Sequence, residues 1–398
     1  MKLSTIAVHA GDRQKPGKFV PVTTPIYNAS SFSYERTEDL DKVFGGEKEG
    51  QTYSRYGNPT TDALAEQIAT LEGGSFSQVC SSGMAAIHLA LLTGLTDRRK
   101  SIVAASVLYG QTITLLMDVL EPAGINVQFS DPCDLETFES KVNEVKPACI
   151  LIETISNPMM RVPALDRIAA IAQRSGAVLI VDSTFATPVL IQPLEMGADI
   201  VVHSITKYLA GHGDVLGGVL VSKEEFRPVC EVLSKTLGVN LGPFESYLTM
   251  RGVKTLPLRV ERQCRNSLLI ADYLKQHSRI ERIHFPGDND HPDHSIARQI
   301  FSLSEDGKPQ FGGMLSFEVK DANKETVFEI IDRFKLIVRA TSLGDVHSMI
   351  LCPSMSSHRD LAPKHRLRLG IGENLLRLSV GIDDPEDVIA DLEQALSL

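Results

Sequence analysis

Between positions 62 and 256, apolar residues fall into short runs of strand length, separated by stretches with the three-to-four-residue spacing of a helix face. Leu64, Ile68 and Leu71 mark a helix over 62–72 that Gly73-Gly74 ends. Further helical stretches cover 84–92, 165–174 and 109–121, the last stopped by Pro122. The strand-length runs are 101–105, 148–152, 177–181, 200–202 and 215–221. Strands apolar on both sides need cover on both faces, so their alternation with helices predicts an α/β fold with a mostly parallel sheet. Beyond Pro257 the pattern changes. A long helical stretch over 258–276, strand-like segments at 313–319 and 375–380, and a terminal helix over 384–396 predict a smaller α+β unit. Residues 1–60 show little periodicity, and Pro21, Pro25 and Pro59 restrict their backbone. The expected organisation is an arm over 1–60 that packs on a neighbouring subunit, a large α/β domain over 61–256 and a small α+β domain over 257–398.

Composition narrows the function classes. A chain of 398 residues exceeds one ordinary core, and 43% hydrophobic with 23% charged residues is the profile of a folded globular protein. The net charge of −10, with no dense basic stripe, argues against nucleic acid as a partner. Arg98-Arg99-Lys100 reads as a solvated loop. Six cysteines without a CxxC pair read as small buried hydrophobes in a reducing compartment. The Leu3 to Val8 stretch is too brief and polar for a signal peptide, and no apolar run approaches the ~20 residues that span a bilayer. The expected location is therefore the cytoplasm, without a membrane partner. His203, His212, His284, His291 and His294 lack metal-ligand spacing, and no metal is expected.

In an open parallel sheet, ligands gather beyond the carboxyl ends of the strands. The 148–152 run is followed by Glu153, with Asn157 four residues on; the 177–181 run by Asp182; the 200–202 run by His203-Ser204-Ile205-Thr206-Lys207-Tyr208. Taken singly, a strand-end Asp is ordinarily a turn or capping residue and a Lys is ordinarily exposed. Together they supply what pyridoxal 5′-phosphate requires: a lysine amine for the aldehyde and a carboxylate for the ring nitrogen. Ser81-Ser82-Gly83 opens a helix whose N–H groups can face a phosphate, and Ser204 and Thr206 can add hydroxyls. Tyr109 can lay its ring over the cofactor.

Tyr53-Ser54-Arg55-Tyr56-Gly57-Asn58-Pro59, Ser82-Gly83-Met84-Ala85, Tyr109-Gly110, Glu153-Thr154 with Asn157-Pro158, Val181-Asp182, and Ser204 through Tyr208 with Gly211-His212 resemble the cystathionine and methionine γ-lyase family. Ser342-Leu343-Gly344 and Arg377-Leu378-Ser379-Val380-Gly381 extend the resemblance along nearly the whole chain. It implies a fold-type I pyridoxal-phosphate enzyme, assembled as a tetramer of two catalytic dimers. By the same resemblance Lys207 binds the cofactor as a Schiff base and shuttles protons, Asp182 pairs with the ring nitrogen, and Tyr109 stacks and assists the leaving group. Gly83, Met84, Ser204 and Thr206 hold the phosphate, Tyr53 and Arg55 reach the adjacent subunit's phosphate, and Asn157 bonds the ring oxygen. Arg377 with Ser342 clamps the substrate carboxylate.

The implied reaction is γ-elimination on a sulfur amino acid, cystathionine or methionine, to a 2-oxo acid, ammonia and a thiol. Three positions depart from the family pattern: Ser183 follows the ring-pairing Asp, Thr341 precedes Ser-Leu-Gly, and Gln111 lies two residues after the stacking Tyr. These few contacts decide the substrate. γ-Replacement on a homoserine ester, by a cystathionine γ-synthase or O-acetylhomoserine sulfhydrylase, and β-elimination on cystathionine stay open, as does a non-catalytic binding protein.

Overall fold

The computed structural model describes residues 1–12, 20–359 and 362–397. Its larger sheet has seven strands: β1 (Phe76–Cys80), β2 (Ser101–Ala105), β3 (Asn126–Ser130), β4 (Cys149–Glu153), β5 (Val178–Asp182), β6 (Ile200–His203) and β7 (Gly218–Ser222). They lie in the order β1-β7-β6-β5-β4-β2-β3. β7 runs antiparallel to both neighbours, and every other pairing is parallel. β2 and β4 are buried along their whole length, which is why they read as unbroken apolar runs. The second sheet contains β8 (Ile280–His284), β9 (Met314–Val319), β10 (Val338–Arg339), β11 (Met349–Leu351) and β12 (Leu375–Ser379) in the order β10-β11-β12-β9-β8, antiparallel except for β10 with β11. A mostly parallel α/β sheet beside a smaller α+β sheet is the architecture the hydrophobic pattern implies.

Local chemistry sets the helix ends. In the helix Pro59–Glu72, Asn58 accepts the Thr60 N–H at 2.9 Å and Gly73 stops the chain with φ of 69°. The helix Leu256–Gln276 packs on β8 and β9 of the second sheet and on the helix Leu3–His9. The stretch expected as one helix over 109–121 is regular only over Gly110–Thr114. It widens into a π turn at Leu115–Leu120, where Glu121 N–H bonds the Leu116 carbonyl at 3.0 Å. Among the described residues, no helix is long and apolar enough to cross a membrane.

Residues 13–19 of the expected arm lie outside the described residues. The segment Leu3–His9 is a short helix rather than irregular chain. It packs on the chain's own Pro59–Glu72 helix, where Gln67 Nε2 donates to the Ala7 carbonyl at 2.8 Å. From 25 to 57 the character is different. No residue there is buried, although the stretch carries Ile26, Phe44, Tyr53 and Tyr56 on its surface.

Candidate active site

The carboxyl ends of β4, β5 and β6 stand side by side. Glu153 of β4 is in register with Asp182 of β5, and Asp182 with Val202 of β6. They open onto a cavity of about 440 Å³. Its floor and ends carry Lys207, Asp182, Tyr109, Asn157 and Arg377; Gly83, Met84, Ser204 and Thr206 line it as well. Ser342 joins through its hydroxyl, which accepts from Lys207 Nζ at 3.2 Å. Tyr53 and Arg55 do not reach this cavity within the chain. Arg55 lies against the rings of Tyr53 and Tyr56, and its guanidinium donates to the Lys235 carbonyl.

Lys207 sits on the turn that follows β6. Burial, and then the nearby Arg377 cation, lower its amine to about 8, so roughly a tenth of it is uncharged at pH 7 and half at pH 8. The turn is held from behind by Arg259, which is 4% exposed and donates to the carbonyls of Tyr208 at 2.8 Å, Gly252 at 2.9 Å and Leu209 at 3.3 Å.

Asp182 is the acid of the site. Thr184 donates to its Oδ1 twice, from N–H at 2.9 Å and from Oγ1 at 2.5 Å, which fixes the carboxylate plane. Burial raises its pKa against those two bonds. A cation beside it, such as a protonated ring nitrogen, would relieve that cost. Glu153 is more strongly affected: burial and the Asp182 charge push it up to about 8.

The opposite end is built for an anion. Ser82 caps the helix Gly83–Leu95 by accepting the Ala85 N–H at 3.1 Å. The Gly83 and Met84 N–H groups are left without an intrahelical acceptor. The backbone is drawn tight here. A methyl group on Gly83 would lie 2.8 Å from Ser204 Cβ, and one on Gly218 would collide with the Ser82 carbonyl. Thr206 Oγ1 accepts the Gly217 N–H at 3.0 Å, so it ties β7 to the cradle as well as lining it.

Arg377, on β12, is 2% exposed. Nη1 donates to Asn157 Oδ1 at 2.9 Å and Nη2 to the Ser342 carbonyl at 3.4 Å, while Nε has no partner. No carboxylate pairs with it among the described residues, and burial lowers it to about 10. A buried cation with a spare donor is a receptor for an incoming carboxylate. The donor set therefore fits pyridoxal phosphate with an amino acid beside it: a lysine of lowered basicity, a fixed carboxylate, an amide-lined anion cradle and an open guanidinium.

Of the departures, Gln111 and Thr341 line the cavity, together with Ser356 and Ser357. Ser183 does not line it; it is buried behind, with its hydroxyl unpartnered. Thr184 and Arg259 are supporting residues of the site that motif reading passed over, and Glu153 was noted there without a role. Glu153 carried a signal, being an acid at the end of an apolar run. Arg259 carried none.

The family model described as Cys/Met metabolism PLP-dependent enzyme matches residues 4–397, and the chain belongs to that family. It is 37% identical to the L-methionine γ-lyase of Fusobacterium nucleatum subsp. polymorphum, over 99% of this chain and 98% of the relative. It is 39% identical to the cystathionine γ-lyase of Bacillus subtilis (strain 168), over 100% and 99%. Among solved structures, the cystathionine γ-lyase from Lactobacillus plantarum complexed with L-serine matches with a TM-score of 0.91 at 35% identity, covering 100% of this chain and 99% of that one. The fold is that of the fold-type I pyridoxal-phosphate enzymes.

Proposed function

We propose that this chain catalyses γ-elimination on a sulfur amino acid, releasing a 2-oxo acid, ammonia and a thiol. The observation that carries the reading is the meeting, in one cavity, of the lysine with a lowered pKa, the fixed Asp182 carboxylate and the carboxylate-free Arg377. When bound, pyridoxal phosphate supplies an aldehyde that condenses with amines and a ring that accepts electron density from the substrate's Cα.

The chain's residues do the rest. Gly83, Met84, Ser204 and Thr206 would hold the phosphate, Asp182 would keep the ring nitrogen protonated, and Asn157 would bond the ring oxygen. Arg377, with Ser342, grips the substrate carboxylate. Lys207 Nζ would remove the proton from Cα; its lowered basicity makes part of it uncharged near neutral pH. Lys207 Nζ, having handed on the first proton, would take a second from Cβ; the sulfur would then leave Cγ with its bonding pair and take a proton from the Tyr109 hydroxyl. Hydrolysis completes the release.

The outer wall formed by Gln111, Thr341, Ser356 and Ser357 is neutral and hydrogen-bonding, which favours the polar distal arm of cystathionine over the methyl of methionine. The unburied stretch 25–57 supports an assembly in which Tyr53 and Arg55 complete the phosphate site of a neighbouring copy, in a dimer and then a tetramer. Six unpaired cysteines support a reducing, cytoplasmic setting.

The test is product identity. Cystathionine, methionine, cysteine and O-acetylhomoserine are offered separately without added thiol. We expect 2-oxobutyrate and ammonia, fastest from cystathionine, and no turnover in Lys207→Ala. Pyruvate as the product from cystathionine, or turnover only with an added thiol, overturns the reading.

A further inference from the structure

Glu153 is costly where it stands. It is 8% exposed and in register with a second carboxylate, Asp182, on the adjacent strand. Burial and that neighbour both oppose its charge. What offsets them is two backbone amides. Oε1 accepts the Tyr109 N–H at 2.7 Å and Oε2 accepts the Asn157 N–H at 3.2 Å. The two amides belong to loops that follow neighbouring strands, β2 and β4, so one carboxylate joins both loops.

Each loop delivers a cavity group. The first carries the Tyr109 ring to the mouth, where it is 37% exposed. The second carries Asn157, whose Oδ1 accepts from Arg377 Nη1 at 2.9 Å. The Tyr109 loop is confined from the other side too, because a methyl group on Gly110 would collide with the Ser357 carbonyl. Backbone held between a carboxylate and a facing carbonyl has little room to shift.

We propose that Glu153 is a positioning residue that locks Tyr109 and Asn157 into one frame, so that the aromatic face, the amide and, through the amide, the substrate-gripping arginine are set together. Its consequence for catalysis rests on the cavity being the cofactor pocket, as proposed above; its consequence for the two loops does not.

Hydrogen exchange of the purified protein reads the loops directly. In Glu153→Ala, peptides covering 107–112 and 155–160 should both lose protection, on the order of tenfold or more, while 178–182 in the sheet core keeps its own. In Glu153→Gln one oxygen remains, so one of the two loops should keep its protection. An unchanged loop in the alanine variant overturns the proposal. If that variant unfolds, the glutamine variant decides alone: one loop released supports the frame, and no change or a uniform change refutes it. The second readout is the visible circular dichroism and dissociation constant of added pyridoxal phosphate. A weaker band with several-fold looser binding supports the full proposal. Loosened loops with unaltered cofactor signals uphold the frame and overturn the cofactor-pocket reading instead.

Discussion

Two buried guanidiniums serve the segment around Lys207, and they are satisfied differently. Arg259, behind the turn, and Arg377, lining the cavity, are both nearly inaccessible, and burial lowers both to about 10. Arg259 uses every nitrogen: Nε donates to Thr255 Oγ1 at 3.1 Å and the two Nη atoms to three carbonyls. Arg377 makes one short bond and one long one, and its Nε is idle. Folding completes the first; only a ligand can complete the second. The residue type and the depth are the same, so what separates a structural cation from a binding one is the count of acceptors the chain itself provides.

Substitution should separate the two sharply. Arg377→Ala is expected to lower kcat/KM by roughly 10²–10³, the worth of two charged hydrogen bonds, while the melting temperature holds or rises because an under-satisfied buried charge is gone. Arg259→Ala should do the reverse, costing about 3 kcal/mol of stability in denaturant titration, since three buried carbonyls lose their donor. Equal stability losses in the two variants would abolish the contrast.

A pH measurement sharpens it. Only the unprotonated Lys207 amine attacks an aldehyde, so uptake of pyridoxal phosphate by stripped protein should quicken as pH rises and level off above about 8. The Arg377 cation depresses that amine, so Arg377→Met should move the midpoint upward, by up to about one unit. Stopped-flow absorbance over a pH series measures both, and a midpoint that stays put would mean the two cations do not sense each other. The smallest effect belongs to Ser342→Ala, which removes one hydroxyl from Lys207 and should cost about 1 kcal/mol, or severalfold in kcat/KM.

The sequence made some of this plain and hid the rest for identifiable reasons. Strands β2, β4, β5 and β6 are apolar on both sides, and the structure places them within a residue or two of where the pattern puts them. β1 and β3 were missed because Phe76-Ser77-Gln78-Val79-Cys80 and Asn126-Val127-Gln128-Phe129-Ser130 mix polar with apolar positions at the sheet edges. The residues read from strand ends and motifs meet in one cavity, apart from Tyr53 and Arg55, because an open parallel sheet collects whatever follows its strands. The supporting contacts were not legible. Arg259 reaches the lysine turn from 50 residues away in sequence, and Thr184, which makes both hydrogen bonds to Asp182, looks like any polar loop residue. The Leu3–His9 helix was hidden by its brevity; one buried alanine is too little periodicity to see.

The tight packing of Gly83 on Ser204 and of Gly218 on the Ser82 carbonyl has a consequence for how this family can drift. Neither glycine offers a functional group, yet both sites are closed to larger residues, Gly83 by the Ser204 side chain and Gly218 by the Ser82 carbonyl. Substrate preference can therefore be retuned at the polar outer wall by ordinary side-chain exchange, while the anchoring end is frozen in outline. A lineage can change what it cleaves far more readily than what it holds on to.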